Sequence, residues 1–257
     1  MSFSRALVRP PPATFANGLT HANQGAPNLT FALAQHRTYC QALADCGLAV
    51  TTLPADAAFP DSCFVEDTAI ITSRGAILMR PGAPSRAGEV ESIFTALQRW
   101  YADIPRITAP GTVDGGDICE ADGHFLIGLS SRTNEEGARQ LTGLLEDLGF
   151  RASTVDIRGC GSMLHLKTGL SYIGDGRIVL NSEVPRVAAL APYELLAVAD
   201  DEAYAANCVR VNDRLLVAAR YPKFHALLAD LGYDLIALDM SEFRKMDGSL
   251  TCLSLRF

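Results

Sequence analysis

One order of elements, strand, strand, helix, strand, recurs along this chain, and that recurrence limits the fold more than any single motif. A short supersecondary unit cannot bury its apolar face alone, so repeated units must pack on one another. Strands are read where β-branched runs end at Gly or Asp-Gly, and helices where apolar residues recur at spacings of three and four between a cap and a Gly. Residues 63–72 and 76–80 read as two strands, 89–100 as a helix and 105–108 as a third strand. Residues 117–120 and 124–129 make a hairpin about Asp122-Gly123, followed by a helix over 134–148 and a strand over 152–157. The order returns with strands over 165–173, 177–180 and 194–198, and again with strands over 207–211, 215–217 and 233–238 around a helix over 221–231.

The fifth copy is split. Residues 250–255 supply one strand, while 6–8, a helix over 29–46 and 48–52 supply the rest, so the first and last strands should pair and close a ring. Five such units predict an α/β fold, a five-bladed α/β propeller with pseudo-fivefold ββαβ repeats, forming a single domain over 1–257, because closure removes exposed sheet edges. The symmetry also predicts which residues meet. The polar residues at the start of each first strand, Glu66 and Asp67, Asp114 and Asp117, His165 and Lys167, Asn207 and Cys208, and Thr251 and Cys252, should converge at one end of the central axis.

Composition removes several function classes. With 257 residues, 48% of them hydrophobic and 20% charged, the chain can build a large core and is not of disordered composition. A formal net charge of -7 leaves no basic footprint for nucleic acid or an anionic membrane and favours a small cationic guest. The first ten residues lack the apolar run of a signal peptide, and no stretch reaches the length of a membrane span, so a cytoplasmic location is expected. Seven cysteines without a C-x-x-C pair indicate neither a disulfide framework nor a zinc knuckle. Oligomeric state has no signature, and a homodimer is compatible with the sequence.

Cys252, His165 and several acids make a kit for attack by a thiolate on an electrophilic carbon. Taken singly they are ordinary. A lone Cys on a C-terminal strand is most often core, His165 in Leu-His-Leu-Lys reads as a half-exposed strand residue, and Asp114-Gly-Gly-Asp117 reads as a hairpin turn. Glu66 and Asp67 are harder to dismiss. Adjacent acids in an apolar strand put one carboxylate on each face, and the buried one is costly unless paired. Asp61, Glu66, Asp67, Asp114 and Asp117 together want a multiply donating cation, and guanidinium is the planar one that carboxylates hold bidentately. Acyl transfer, which needs an oxyanion hole, fits this set less well.

In combination, Phe59-Pro-Asp-Ser-Cys-Phe-Val-Glu-Asp67, Gly111-Thr-Val-Asp-Gly-Gly-Asp117, Arg132-Thr-Asn134, Leu164-His-Leu-Lys167, Ala205-Ala-Asn-Cys208 and Lys245-Met-Asp-Gly-Ser-Leu-Thr-Cys252 resemble the ordered motif set of the dimethylarginine dimethylaminohydrolases. The resemblance runs from end to end. It implies the five-bladed α/β propeller of the guanidine-modifying superfamily, in agreement with the repeat. It also implies hydrolysis of asymmetric dimethylarginine or monomethylarginine to citrulline and dimethylamine or methylamine, without metal or organic cofactor. Matched residue to residue, it implies Cys252 as nucleophile, His165 as general acid and base, and Asp114 as the carboxylate that orients His165. It places Asp61, Glu66 and Asp67 against the guanidinium or the substrate main chain, and Arg86 and Arg132 on the α-carboxylate. Leu19, in Asn17-Gly-Leu-Thr-His21, falls in a mobile lid over bound substrate.

Rival readings stay open at the level of sequence. Arginine deiminases of the same fold carry an added helical domain between propeller units, whereas every connection here is short. A relative that hydrolyses citrulline or another guanidine is not separated, because nothing legible marks a pocket for methyl groups. A propeller that only binds a partner protein, with Cys252 in its core, is disfavoured by the gathering of thiol, imidazole and acids. Cys252 and His165 offer too few ligands for a structural zinc, though the pair would suit inhibitory zinc.

Overall fold

Turn chemistry and caps decide where the elements end. In the computed structural model, which describes residues 2–161 and 163–257, the chain runs through β1 (Arg5–Val8), α1 (Leu29–Asp45), β2 (Ala49–Thr52), β3 (Ala69–Thr72), β4 (Gly75–Leu78) and α2 (Glu89–Leu97). It continues through β5 (Ile118–Ala121), β6 (His124–Leu129), α3 (Glu135–Asp147), β7 (Arg151–Asp156), the single turn α4 (Leu166–Gly169), β8 (Leu170–Gly174), β9 (Arg177–Leu180) and β10 (Glu194–Ala197). The last elements are β11 (Val209–Val211), β12 (Arg214–Ala218), α5 (Pro222–Asp230), β13 (Asp234–Leu238), α6 (Ser241–Arg244) and β14 (Ser254–Arg256). At the β5–β6 hairpin Asp122 and Gly123 both have positive φ, 50° and 75°, as a type I′ turn requires and as Asp-Gly supplies. The α3 helix starts where the Asn134 side chain accepts the Gly137 N–H at 2.8 Å, with Glu135 and Glu136 following in its first turn.

The fold is α/β. Among the described residues the strands form five small sheets, and the chain divides into two compact units, residues 1–65 with 207–257 and residues 66–206. The first unit holds the sheets β14-β1-β2 and β11-β12-β13, and the second holds β3-β4, β5-β6-β7 and β10-β9-β8. Four sheets share one pattern, an antiparallel pair extended by a parallel third strand, for example β5 against β6 and β6 beside β7. The split fifth copy is borne out, since β1 pairs antiparallel with β14 and parallel with β2. In the second unit α3 buries Ala138, Leu141 and Leu145 against Phe125 and Ile127 of β6. Truncating such a leucine to Ala costs about 2–5 kcal/mol. Among the described residues no helix is long and apolar enough to cross a membrane.

The structure departs from the sequence expectation at three places. Residues 105–108 do not form a strand. Leu78 makes a single parallel bridge to Arg106, and two residues further on the Arg80 carbonyl is taken at 2.9 Å by the Val113 N–H, so the ladder to residues 105–108 goes no further. The third copy has no long helix, only a 3-10 turn over Ala188–Leu190. Most consequentially, the segments expected to open the first strands are helical turns: Val65–Thr68, Gly115–Asp117, α4 and Thr251–Leu253 immediately precede β3, β5, β8 and β14. The turn Asp200–Ala206 comes shortly before β11. His165 and Cys252 therefore sit on turns rather than strands, and Asp114-Gly-Gly-Asp117 leads into β5 instead of capping a hairpin. A 3-10 turn advances side chains by about 120° per residue rather than the roughly 180° of a strand, and Glu66 and Asp67 are both buried with partners.

Candidate active site

Within residues 66–206, His165 is the cap residue of α4, where its own N–H is held at 3.2 Å by Thr168 Oγ1. Its Nε2 lies 3.1 Å from Asp114 Oδ2, and Asp114 is fully buried. The other Asp114 oxygen accepts the Gly82 N–H at 2.7 Å, while Arg132 Nη1 reaches Oδ2 at 3.3 Å. The His165 ring rests on Gly116. A Cβ at position 116 would stand 2.6 Å from His165 Nδ1, so only glycine lets the ring approach. The Gly116 N–H in turn donates to Asp67 Oδ1 at 2.8 Å, and Asp67 Oδ2 accepts from Arg86 Nη1 at 2.5 Å. Arg86 is buried and also bonds Glu89 through Nε and Nη2, at 3.0 and 2.8 Å. Lys167 Nζ meets Glu66 Oε1 at 2.5 Å.

The charges are interlocked. Burial alone would strip the proton from His165, but Asp67, Asp114 and Asp117 outweigh it and push the imidazole up to about 9. Burial would raise Asp67, yet His165 and Arg86 hold it at about 2. Burial pushes Asp117 up to about 6 against the pull of His165 and the donors around it. At neutral pH the site thus presents an imidazolium among carboxylates, with arginines on two of them. Ligand atoms of Asp67, Asp114 and His165 lie within 4.8 Å of one another, close enough to share a metal ion, but Arg86 and Arg132 already supply the positive charge there.

Within residues 1–65 and 207–257, Cys252 lies part-buried on the Thr251–Leu253 turn. That turn is pinned by Asn207, whose amide donates to Thr251 Oγ1 at 3.0 Å and accepts from the Thr251 N–H at 3.1 Å. The Leu19 N–H donates to both oxygens of buried Asp61 at 3.1 Å, leaving the Leu19 side chain 42% exposed. Further along this loop Thr20 Oγ1 donates to the Lys245 carbonyl at 2.9 Å and the His21 N–H to Asp247 Oδ2 at 2.6 Å.

The second unit thus gathers His165, Asp114, Asp67, Arg86 and Arg132 into one hydrogen-bonded web, and the first joins Leu19 to Asp61. Sequence reasoning did not single out Glu89, although Arg86-x-x-Glu89 is ion-pair spacing, nor Ser130 and Thr133 beside Arg132. Asn207 was noted by its place in the repeat and in the block Ala205-Ala-Asn-Cys208, without a role.

Fold and site together define the guanidine-modifying class. The model of the family described as Arginine deiminase matches residues 57–207. A dimethylarginine dimethylaminohydrolase from Pseudomonas aeruginosa is 44% identical over 99% of this chain and 100% of its own length. A crystal structure of the P. aeruginosa enzyme, a cysteine-to-serine mutant complexed with citrulline, superposes with a TM-score of 0.96 at 43% identity over 100% of both chains. A second structure, an adduct of a dimethylarginine dimethylaminohydrolase with S-methyl-L-thiocitrulline, gives 0.95 at 43% identity over 99% of this chain and 100% of the other. The chain belongs to the dimethylarginine dimethylaminohydrolase family.

Proposed function

We propose that this protein hydrolyses Nω-methylated arginine, asymmetric dimethylarginine or monomethylarginine, to citrulline and dimethylamine or methylamine. One observation carries the reading: an imidazole whose Nε2 lies 3.1 Å from the fully buried Asp114 carboxylate, in a chain 44% identical over 99% of its length to an enzyme of that name. Guanidinium is resonance-stabilised and a poor electrophile, so catalysis has to hold it against carboxylates and protonate the nitrogen that leaves.

Cys252 supplies the thiolate, which bonds the guanidinium carbon. The carbon–nitrogen bond to the methylated amine then breaks as His165 gives that nitrogen its proton, leaving a planar S-alkylthiouronium. His165, now neutral, takes a proton from water, whose oxygen bonds the same carbon. The carbon–sulfur bond breaks, citrulline departs and the thiolate returns. Asp114 orients His165. Asp61, Glu66 and Asp67 receive the guanidinium or the substrate main chain, Arg86 and Arg132 its α-carboxylate, and Leu19 covers the bound molecule. The whole chain serves as one catalytic domain, acts on a small cationic substrate in the cytoplasm and needs no cofactor.

The test is citrulline release from dimethylarginine, monomethylarginine and plain arginine, with wild type and with Cys252→Ser. Methylated substrates should turn over faster and the variant should be inactive. Faster turnover of plain arginine rejects the substrate, and an active Cys252→Ser rejects the nucleophile.

A further inference from the structure

Asp117 has no role in the assignments above, yet it is fully buried and spans two parts of the site. Its Oδ1 accepts the Leu166 N–H, the amide next to His165, at 2.9 Å. Its Oδ2 accepts Ser130 Oγ and Thr133 Oγ1, each at 2.7 Å. Ser130 Oγ in turn receives the N–H groups of Arg132 at 2.9 Å and Thr133 at 3.1 Å, and Thr133 Oγ1 receives the Asp114 N–H at 3.1 Å. From the Asp117 carboxylate one bond thus leads to the turn carrying His165, and two lead to the segment carrying Arg132 and to the backbone of Asp114.

We infer that Asp117 is a positioning residue, which locks the His165 turn to the Ser130–Thr133 segment and so fixes the distance between His165 and Asp114. The donor inventory makes a carboxylate obligatory. A backbone N–H can only donate, and Ser130 Oγ, with both lone pairs taken by amides, can only donate as well. Both Asp117 oxygens must therefore be acceptors. An isosteric Asn offers one acceptor and one donor, so either rotamer sets N–H against a group that cannot accept. The charge acts too. Asp67, Asp114 and Asp117 all raise the proton affinity of His165, with Arg86 and Arg132 behind the first two and Lys167 paired to Glu66 on the adjoining turns.

The inference rests on the hydrolase reading for its kinetic test, and on nothing but the fold for its second. Full pH profiles of kcat and KM for dimethylarginine should be compared for wild type, Asp117→Asn and Ser130→Ala, alongside hydrogen exchange of the Leu166 amide followed by NMR. Asp117→Asn should lower kcat by about 10- to 100-fold, the effect of leaving a buried donor unsatisfied. It should also move the alkaline limb, where His165 loses its proton, to lower pH and speed exchange at Leu166. Ser130→Ala, which keeps the charge, should cost less than about tenfold and leave the limb in place. A folded Asp117→Asn whose limb stays put and whose Leu166 amide stays protected overturns the inference, whatever its kcat. If Asp117→Asn does not fold, Ser130→Ala and Thr133→Val decide, and wild-type kcat and KM in both overturn it. A wild type that releases no citrulline defeats the hydrolase reading instead, and exchange at Leu166 still tests the lock.

Discussion

The two units hold their reactive groups by opposite means. In residues 1–65 and 207–257, Cys252 stands on a turn held by the amide pair between Asn207 and Thr251 and by Arg256 Nη1 on the Thr251 carbonyl at 3.4 Å, so no carboxylate is needed there, with Leu250 and Leu253 buried beside it. In residues 66–206, His165 is secured by charges, so its support and its chemistry are the same groups. A neutral hydrogen bond contributes about 1 kcal/mol, whereas a buried charge that loses its partner costs about 3–5 kcal/mol. The thiol's support can thus be altered separately from its reactivity, and the imidazole's cannot.

The sharpest separation should come from Cys252→Ser, expected to lower kcat by more than about 1,000-fold while leaving the melting temperature within about 2 °C of wild type. A large loss of stability there would show the thiol to be structural. Next in size, Arg86→Met leaves Asp67 and Glu89 buried without their cation and should lower the stability by about 3–5 kcal/mol in urea unfolding. If that variant unfolds at the wild-type midpoint, charge is not what holds the second unit.

Asn207→Ala should cost about 1–3 kcal/mol, with kcat falling more than KM rises, because the Cys252 turn is loosened. A further effect is set by pH. His165 is raised from its ordinary 6.5 to about 9, so its contribution to stability is complete below 6.5 and fades as pH climbs to about 9. Asp67 is lowered from 3.8 to about 2, so its contribution holds above 3.8 and fades as pH falls toward 2. A His165→Asn variant should lose the alkaline decline and show a weaker acid one, since His165 is one of the two cations that hold Asp67 down, as measured by urea midpoints across pH.

Much of this was legible in the chain. The hairpin at Asp122-Gly123, the caps of α3 and the pairing of β1 with β14 follow from local turn chemistry and the repeat. The motif blocks named the imidazole and its acid partner. What escaped was the conformation of the site segments themselves, because a four-residue helical turn leaves too short a period to tell from a strand beginning. The grip of Arg86 on Glu89 was not legible either. An ion pair at i, i+3 is common on exposed helices, so spacing alone does not reveal that this one is buried.

Pairing β1 with β14 has a consequence for how the chain is made. The sheets of residues 66–206 need only contacts within that span and can assemble while the ribosome is still adding later residues. Ala6, by contrast, waits for Arg256 before its strand gains its antiparallel neighbour, so residues 5–8 remain an unpaired edge through most of synthesis. The turn that carries Cys252 is laid down next to β14 and is completed with it. During translation, the imidazole's acidic nest can therefore exist before the thiol does, and residues 5–8 keep one open strand edge until β14 is made.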